Sequence, residues 1–293
     1  MTTRSPLTCG DVARWLETLA PPHLAEDYDN VGLLVGEPDQ VVSGILIALD
    51  ITPEVLAEAV RNGANLVISH HPIWFRSRKT LRGDDFVSRQ ILYAIRNGLA
   101  LYACHTNLDS VRDGVNRTIV DRLGLSNVEF LRPRPGGARE TDSAHSSSGR
   151  DGNFCEAGTG MIGELPTPLK TEELLGKVRS VFGCGCVRYT PGPADRDLRI
   201  IAVCGGAGSF LLETARARGA DAFLTADVTY HQFFETCGEM LFMDIGHYES
   251  EQFTSEVIRD YLRKEIGGSG QPELSIRVTE HNTNPVRYFT GES

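Results

Sequence analysis

The chain has 293 residues, 41% apolar and 23% charged, with a formal net charge of −10. That length supports one large or two ordinary domains, and the acidic balance argues against a general nucleic-acid or anionic-membrane surface, leaving room only for a local basic pocket that takes a phosphate. No apolar stretch approaches the ~20 residues of a membrane span, so no direct nucleic-acid partner and no membrane partner is expected.

The N-terminus, Met1-Thr2-Thr3-Arg4-Ser5-Pro6, has no apolar core of a signal peptide, so secretion is not expected. Cysteines fall at 9, 104, 155, 184, 186, 204 and 237. An odd number in a long chain does not resemble a secreted disulfide framework. Cys184-Gly185-Cys186 has no matching second pair for a structural zinc site, so free thiols and a cytoplasmic location are expected.

In chain order, Thr8 to Leu19 predicts an amphipathic helix with Val12, Trp15, Leu16 and Leu19 on one side. Tyr28 to Gly36 reads as a polar turn entering an apolar run. Ile45 to Asp50 is a buried strand. Pro53 to Asn62 is a helix, with Pro53 in its first turn and Gly63 past its end. Ala64 to Ile68 is a short apolar strand that runs into Ser69-His70-His71-Pro72, where proline stops regular pairing. Asp84 to Asn97 is a helix closed by Gly98. Leu99 to Cys104 is the next strand, followed at once by His105-Thr106-Asn107-Leu108-Asp109. Gly114 to Leu123 is a helix closed by Gly124. This alternation implies a mainly parallel sheet covered on both faces.

Residues 132–160 break the pattern with prolines, glycines and a serine run, and predict a flexible loop in which His145 is a solvated bystander. Beyond it, Thr171 to Phe182 is a helix and Leu198 to Cys204 a strand. The turn Gly205-Gly206-Ala207-Gly208-Ser209 leads into a helix over 210–218, and Ala222 to Thr225 is a further strand. The amides of the 205–209 turn could cradle a phosphate, or the turn could simply need small residues. Asp227 and His231 stand four apart beyond a strand end, read as a helix start. They are open to roles as supporting partners, substrate contact, proton shuttle or surface cap.

Met240 to Ile245 is a third strand ending in ligand-type residues, Gly246-His247-Tyr248-Glu249-Ser250-Glu251. Phe253, Val257, Tyr261 and Leu262 then recur at helical spacing, so His247 and Glu251 share one helix face and Glu249 points elsewhere. Open α/β sheets bind ligands beyond the carboxyl ends of their strands, and neutral imidazole is a favoured ligand of transition ions. His70, His71, His105, Asp109, His247 and Glu251 are thus candidate metal-centre residues. Capping of strand ends by hydrogen bonds is the alternative for any one of them.

The organisation read from these elements is α/β, with two α/β domains, the second inserted in the first. Residues 1–130 with 240–293 form a metal-binding domain and 131–239 the inserted one, with the crevice between them.

Assembled, these segments resemble the GTP cyclohydrolase 1 type 2 family, also called Nif-three-like proteins. The matching pieces are YDNVGLLVG at 28–36, ISHHPIWF at 68–75, HTNLD at 105–109, GGAGS at 205–209, TADVTYHQ at 225–232 and GHYESE at 246–251. The resemblance implies a two-metal site in the cleft between two α/β domains, and a homohexamer. By motif the ligands are His70, His71, Asp109, His247 and Glu251, with Asp109 and Glu251 bridging two divalent ions and His105 close by. Zinc, iron and manganese all suit such a donor set. Ala226 stands where relatives often have glycine, and the stretch between Leu131 and Gly163 is too short for the extra domain of some longer relatives.

The activity implied is hydrolysis of a nucleotide or other phosphorylated small molecule. Two ions share a hydroxide that opens the imidazole ring of guanine and releases formate. His105 or His231 move protons, and Gly206, Gly208, Ser209 and Asp227 hold substrate. The competing expectations are a metal-dependent phosphoesterase and a non-enzymatic, metal-binding or regulatory hexamer.

Overall fold

A computed structural model describes residues 6–134, 157–194, 196–269 and 274–289. The chain divides into two compact units, residues 1–109 with 248–293, and residues 110–247.

The first unit begins with α1 (Cys9–Leu19), whose N-terminal amides are met by a reciprocal cap between Thr8 and Asp11. Then come β1 (Gly32–Val35), β2 (Ile45–Ala48), α2 (Pro53–Arg61), β3 (Leu66–Ser69), α3 (Phe86–Arg96), β4 (Ala100–Ala103) and the short α4 (Thr106–Asp109). Thr52 and Asp85 cap α2 and α3. β2, β3 and β4 are buried at every position, as a parallel sheet covered on both faces requires. Leu46, Val67 and Leu101 pack with Val55, Leu56 and Ile91 of α2 and α3.

β1 lies antiparallel on β4 with an irregular register, and the motif glycine that ends it is forced by packing. Gly36 has φ +109°, and a Cβ there would lie 2.7 Å from that of Ala100.

The second unit holds α5 (Val115–Leu123), β5 (Ser126–Pro133), β6 (Gly158–Leu169), α6 (Thr171–Phe182), β7 (Arg188–Thr190), β8 (Leu198–Val203), α7 (Leu212–Ala217), β9 (Ala222–Thr225) and β10 (Leu241–Asp244). Its sheet order is β5-β6-β8-β9-β10-β7, with β8, β9 and β10 parallel and the rest antiparallel.

The chain returns to the first unit through α8 (His247–Glu251), α9 (Thr254–Ser269) and β11 (Ile276–Val278). The first sheet then reads β1-β4-β3-β2-β11, with β11 parallel to β2. Tyr261 of α9 ties to α1 by donating its hydroxyl to the Trp15 carbonyl at 2.9 Å.

Three sequence expectations are corrected. The run at 240–245, assigned above to the metal-binding domain, is β10 of the second sheet, paired with β9 and β7. The units meet at 109/110 and 247/248 rather than at 130/131 and 239/240. A strand buried at every position carries no label for the sheet it joins. The loop expected over 132–160 starts and ends in strand, since β5 runs to Pro133 and β6 begins at Gly158. Residues 135–156, with His145 and Cys155, lie outside the described residues. The helix expected from Asp227 to His231 is a loop followed by a 3-10 helix over Tyr230–Thr236. Among the described residues no helix is long and apolar enough to cross a membrane.

Candidate metal centre

Three neighbouring parallel strands, β2, β3 and β4, end on the same side, and each delivers polar residues there. Pairing continues past the strand ends. His70 N–H donates to Ala48 O at 3.2 Å, His71 N–H to Leu49 O at 3.0 Å and Cys104 N–H to Ser69 O at 2.9 Å. The backbone at His70 and His71, and that leading into Asp50 and His105, is therefore held by the sheet's own pairing.

The three rings cluster. Centroids of His70 and His71 are 5.0 Å apart, those of His70 and His105 5.1 Å, and those of His71 and His105 5.4 Å. One nitrogen of each ring is oriented by an oxygen of the first unit. His70 Nδ1 lies 2.8 Å from the Cys104 carbonyl, His71 Nδ1 2.7 Å from Asp50 Oδ1, and His105 Nδ1 2.8 Å from Asp29 Oδ1. These oxygens accept, so each Nδ1 is protonated and Nε2 faces the cluster.

His70 is fully buried, and its Nε2 has no hydrogen-bond partner among the described residues. That atom stands 3.6 Å from Asp109 Oδ1 and 3.8 Å from Glu251 Oε2. Burial pushes the pKa of His70 down to about 4, so it is neutral, the form that ligates metals. His71 Nε2 lies 3.0 Å from Glu251 Oε2. Burial works against charge on His71, but its hydrogen bonds to Asp50 and Glu251 prevail and raise it to about 9. In the metal-free chain a proton thus occupies the His71 Nε2 position where an ion would bind.

Two donor groups of the first unit suit a metal ion: His70, His71 and His105, and His70, Asp109 and Glu251, each with ligand atoms within 4.8 Å of one another. A buried imidazole nitrogen without a partner, beside carboxylate oxygens, fits a divalent cation well.

His105 is braced as tightly as the ligand-type residues. Asp29 accepts from its Nδ1, from Thr106 N at 3.0 Å and from the Thr106 hydroxyl. Burial would raise the Asp29 pKa, but these bonds hold it well below the usual carboxylate range. Asn107 Oδ1 accepts from His105 N at 2.9 Å, while its Nδ2 donates to Ala20 O at 2.7 Å. Glu249 does point elsewhere, accepting from Asn284 Nδ2 at 3.1 Å.

The remaining sequence candidates lie in the second unit. His247 opens α8, one helical turn before Glu251, and its Nδ1 meets Asp227 Oδ2 at 2.6 Å. Asp227 sits at φ +54°, an uncommon conformation for a side-chain-bearing residue. Asp244 fixes that loop, accepting from Val228 N at 2.9 Å and Gly246 N at 3.0 Å and pairing with Arg188.

In the 205–209 turn, Gly205 N donates to Asn116 Oδ1 at 3.0 Å and Gly208 N to Thr225 Oγ1 at 2.9 Å, so two of its amides are engaged inside the protein. Gly208 leaves no room for a side chain, since a Cβ would lie 2.4 Å from that of Cys204. Ser209 Oγ accepts from Gln232 Nε2 at 2.8 Å. His231 is exposed on its 3-10 helix, with its ring edge-on to Tyr230 at 5.4 Å.

Sequence reading missed Asp29 and Asp50. Asp50 lies two residues past β2 as His71 lies two past β3, so its position beyond a strand end was the available signal. Asp29 lies in the YDNVGLLVG segment, which composition alone renders as a loop.

Comparison with known proteins gives a consistent result. Residues 7–285 match the family described as Duf34/NIF3 (NGG1p interacting factor 3). The chain is 32% identical over 280 residues to a GTP cyclohydrolase 1 type 2 homolog of Clostridium acetobutylicum, covering 95% of this chain and 97% of that protein. It is 36% identical over 243 residues to one of Clostridium perfringens, covering 82% and 86%. Among solved structures, a Bacillus cereus protein related to NIF3 superposes with a TM-score of 0.86 at 23% identity, covering 98% of this chain and all of that one. A hypothetical protein of Staphylococcus aureus superposes with a TM-score of 0.85 at 26% identity, covering 97% and 100%.

Proposed function

The chain belongs to the Duf34/NIF3 family, and from that premise we propose that it is a hydrolase dependent on two divalent metal ions, acting on GTP in the manner its relatives' name describes. The observation that carries the reading is the buried Nε2 of His70, without a hydrogen-bond partner among the described residues and facing Asp109 and Glu251.

In this reading His70 and His71 offer imidazole nitrogens and Asp109 and Glu251 offer carboxylate oxygens. Glu251 Oε2 stands near both His70 and His71, which suits it to serve two ions. Zinc, iron and manganese each accept this mixture of nitrogen and oxygen donors. The bound ions supply acidified water and a positive charge that polarises the substrate.

The protein's own residues do the rest. Asp50 and the Cys104 carbonyl hold the imidazoles of His71 and His70 and aim their Nε2 atoms. His105 takes and returns protons at Nε2, while Asp29 on its other nitrogen holds the ring in place. On GTP, water adds at C8 of guanine and the imidazole ring opens to a formamide. A second water then cleaves the formamide and formate leaves. The Ser209 hydroxyl, which accepts from Gln232, keeps its own hydrogen for a phosphate oxygen.

The test is to incubate metal-loaded protein with GTP and follow formate and the ring-opened nucleotide by mass spectrometry, with Asp109→Ala alongside. Product that disappears in Asp109→Ala supports the reading. Inorganic phosphate without formate redirects it to phosphoester hydrolysis. No turnover with zinc, iron or manganese refutes it.

A further inference from the structure

Asp50 is shared between a ligand-type histidine and the C-terminal segment. Its Oδ1 meets His71 Nδ1 at 2.7 Å, and its Oδ2 accepts from the Thr283 hydroxyl at 2.6 Å. The two partners are 233 residues apart from Asp50 to Thr283 and 21 from Asp50 to His71, so this carboxylate joins the first strands of the unit to its last stretch of chain.

The topology brings that stretch to the right end of the sheet. β11 is parallel to β2, so the chain leaving β11 passes the same strand ends that carry Asp50 and His71. Thr279 N extends the pairing by donating to Ile47 O at 2.8 Å. The segment from there to Asn284 has no regular structure, yet polar side chains pin it at three places. Buried Glu58 accepts from the Thr279 hydroxyl and from Glu280 N at 3.2 Å. Asp50 takes Thr283. Buried Glu249 takes Asn284 Nδ2 at 3.1 Å, two residues before Glu251 on the same helix. Local turns brace it further, with Asn282 Oδ1 accepting from Asn284 N and Asn284 Oδ1 from Val286 N, both at 2.9 Å.

Burying polar groups costs free energy unless each finds a partner. Apolar contacts would anchor a chain end without that cost. What polar anchoring adds is direction: a carboxylate rotates about its own axis, and a second hydrogen bond fixes the rotation. With Thr283 on Oδ2, Asp50 Oδ1 is set against His71 Nδ1, and the plane of that ring is set with it.

We propose that the segment Thr279–Asn284 is a working part of the metal centre, in which Thr283, acting through Asp50, is a positioning residue for His71 and for the divalent ion that His71 would hold. This rests on the metal-binding reading above.

The test is a titration of cobalt(II) into the metal-stripped full chain, read by its visible absorption and by affinity, for the unaltered protein, Thr283→Val and Thr283→Ser. Thr283→Val keeps the shape but removes the donor, and Asp50 is exposed enough for water to meet its freed oxygen, so the fold persists. Thr283→Val weakens cobalt binding about tenfold or more and shifts the absorption band, the usual scale for lost outer partners of a metal ligand. Thr283→Ser restores both. Equal affinity and spectrum in Thr283→Val and the unaltered protein overturn the proposal, as does a serine variant no better than valine. Should Thr283→Val fail to fold, Asp50→Asn carries the same expectation and the same overturning result. An unaltered chain that takes up no cobalt overturns the metal-centre reading itself, and this proposal with it.

Discussion

His70 donates its Nδ1 hydrogen to the carbonyl of Cys104, 2.8 Å away at the end of the neighbouring strand. A carbonyl only accepts, so this bond decides that Nε2 carries the lone pair. The bond is between two positions fixed by β3 and β4, and the ring has no freedom to turn that nitrogen elsewhere. A buried acceptor left unmet costs about 1–3 kcal/mol, and a cation at Nε2 removes that cost.

Metal-stripped protein therefore gains stability when zinc or cobalt is added, by about 2.7 kcal/mol at a hundredfold excess over Kd. Scanning calorimetry reads this as a rise of several degrees in Tm. His70→Ala loses the rise. A metal-induced shift of the same size in His70→Ala would remove His70 from the centre.

His71 makes the metal-free protein's stability depend on pH. Its pKa is about 9 in the folded chain, because its hydrogen bonds to Asp50 and Glu251 outweigh the burial that opposes charge. The unfolded value is about 6.5. The stabilisation is then complete below about pH 6.5 and is lost as pH climbs through the folded value. Urea titrations of stripped protein compare the unaltered chain with His71→Gln. The stability gap between them closes by on the order of 1–3 kcal/mol across that window. Metal competes with the same proton, so affinity rises over the same range. A gap that stays constant with pH would contradict the arrangement.

Gly208→Ala separates packing from substrate binding in the 205–209 turn. Its Cβ would lie 2.4 Å from the Cys204 Cβ and 2.6 Å from Thr225 Oγ1. Overpacking of this kind costs about 1–3 kcal/mol. Chemical denaturation shows that loss whether or not nucleotide is present. Unchanged stability with a raised KM would instead make the glycine a substrate contact.

The segments after β3 and β4 were legible as candidates because each announces itself twice. Ile68-Ser69-His70-His71-Pro72 joins an apolar run to ligand-type residues and a proline stop, and His105 to Asp109 repeats that form after β4. Glu251 was singled out by its place beyond a third strand-like run, four residues after His247, and by the GHYESE motif. The outer carboxylates were not legible in that way. Asp29 reaches His105 across 76 residues and Asp50 reaches Thr283 across 233, and no short window of sequence contains both members of either pair. The sheet to which β10 belongs was hidden for a related reason: Leu241, Phe242 and Met243 are apolar on both faces, and only their neighbours Phe223 and Tyr189 say which sheet they complete. The 3-10 helix carrying His231 has a loop before it that turns on the left-handed Asp227, a conformation that residue type permits but does not demand.

The order in which a chain is made bears on a centre built this way. His71 and Glu251 are separated by 180 residues, and the whole second unit is synthesised between them. At about 5–20 residues per second, His70 and His71 leave the ribosome roughly 10–40 s before the glutamate that stands beside both. β11 and the Thr283 strap come later still. Completion of the centre is thus a late event of biosynthesis, paced by the making of an entire intervening unit.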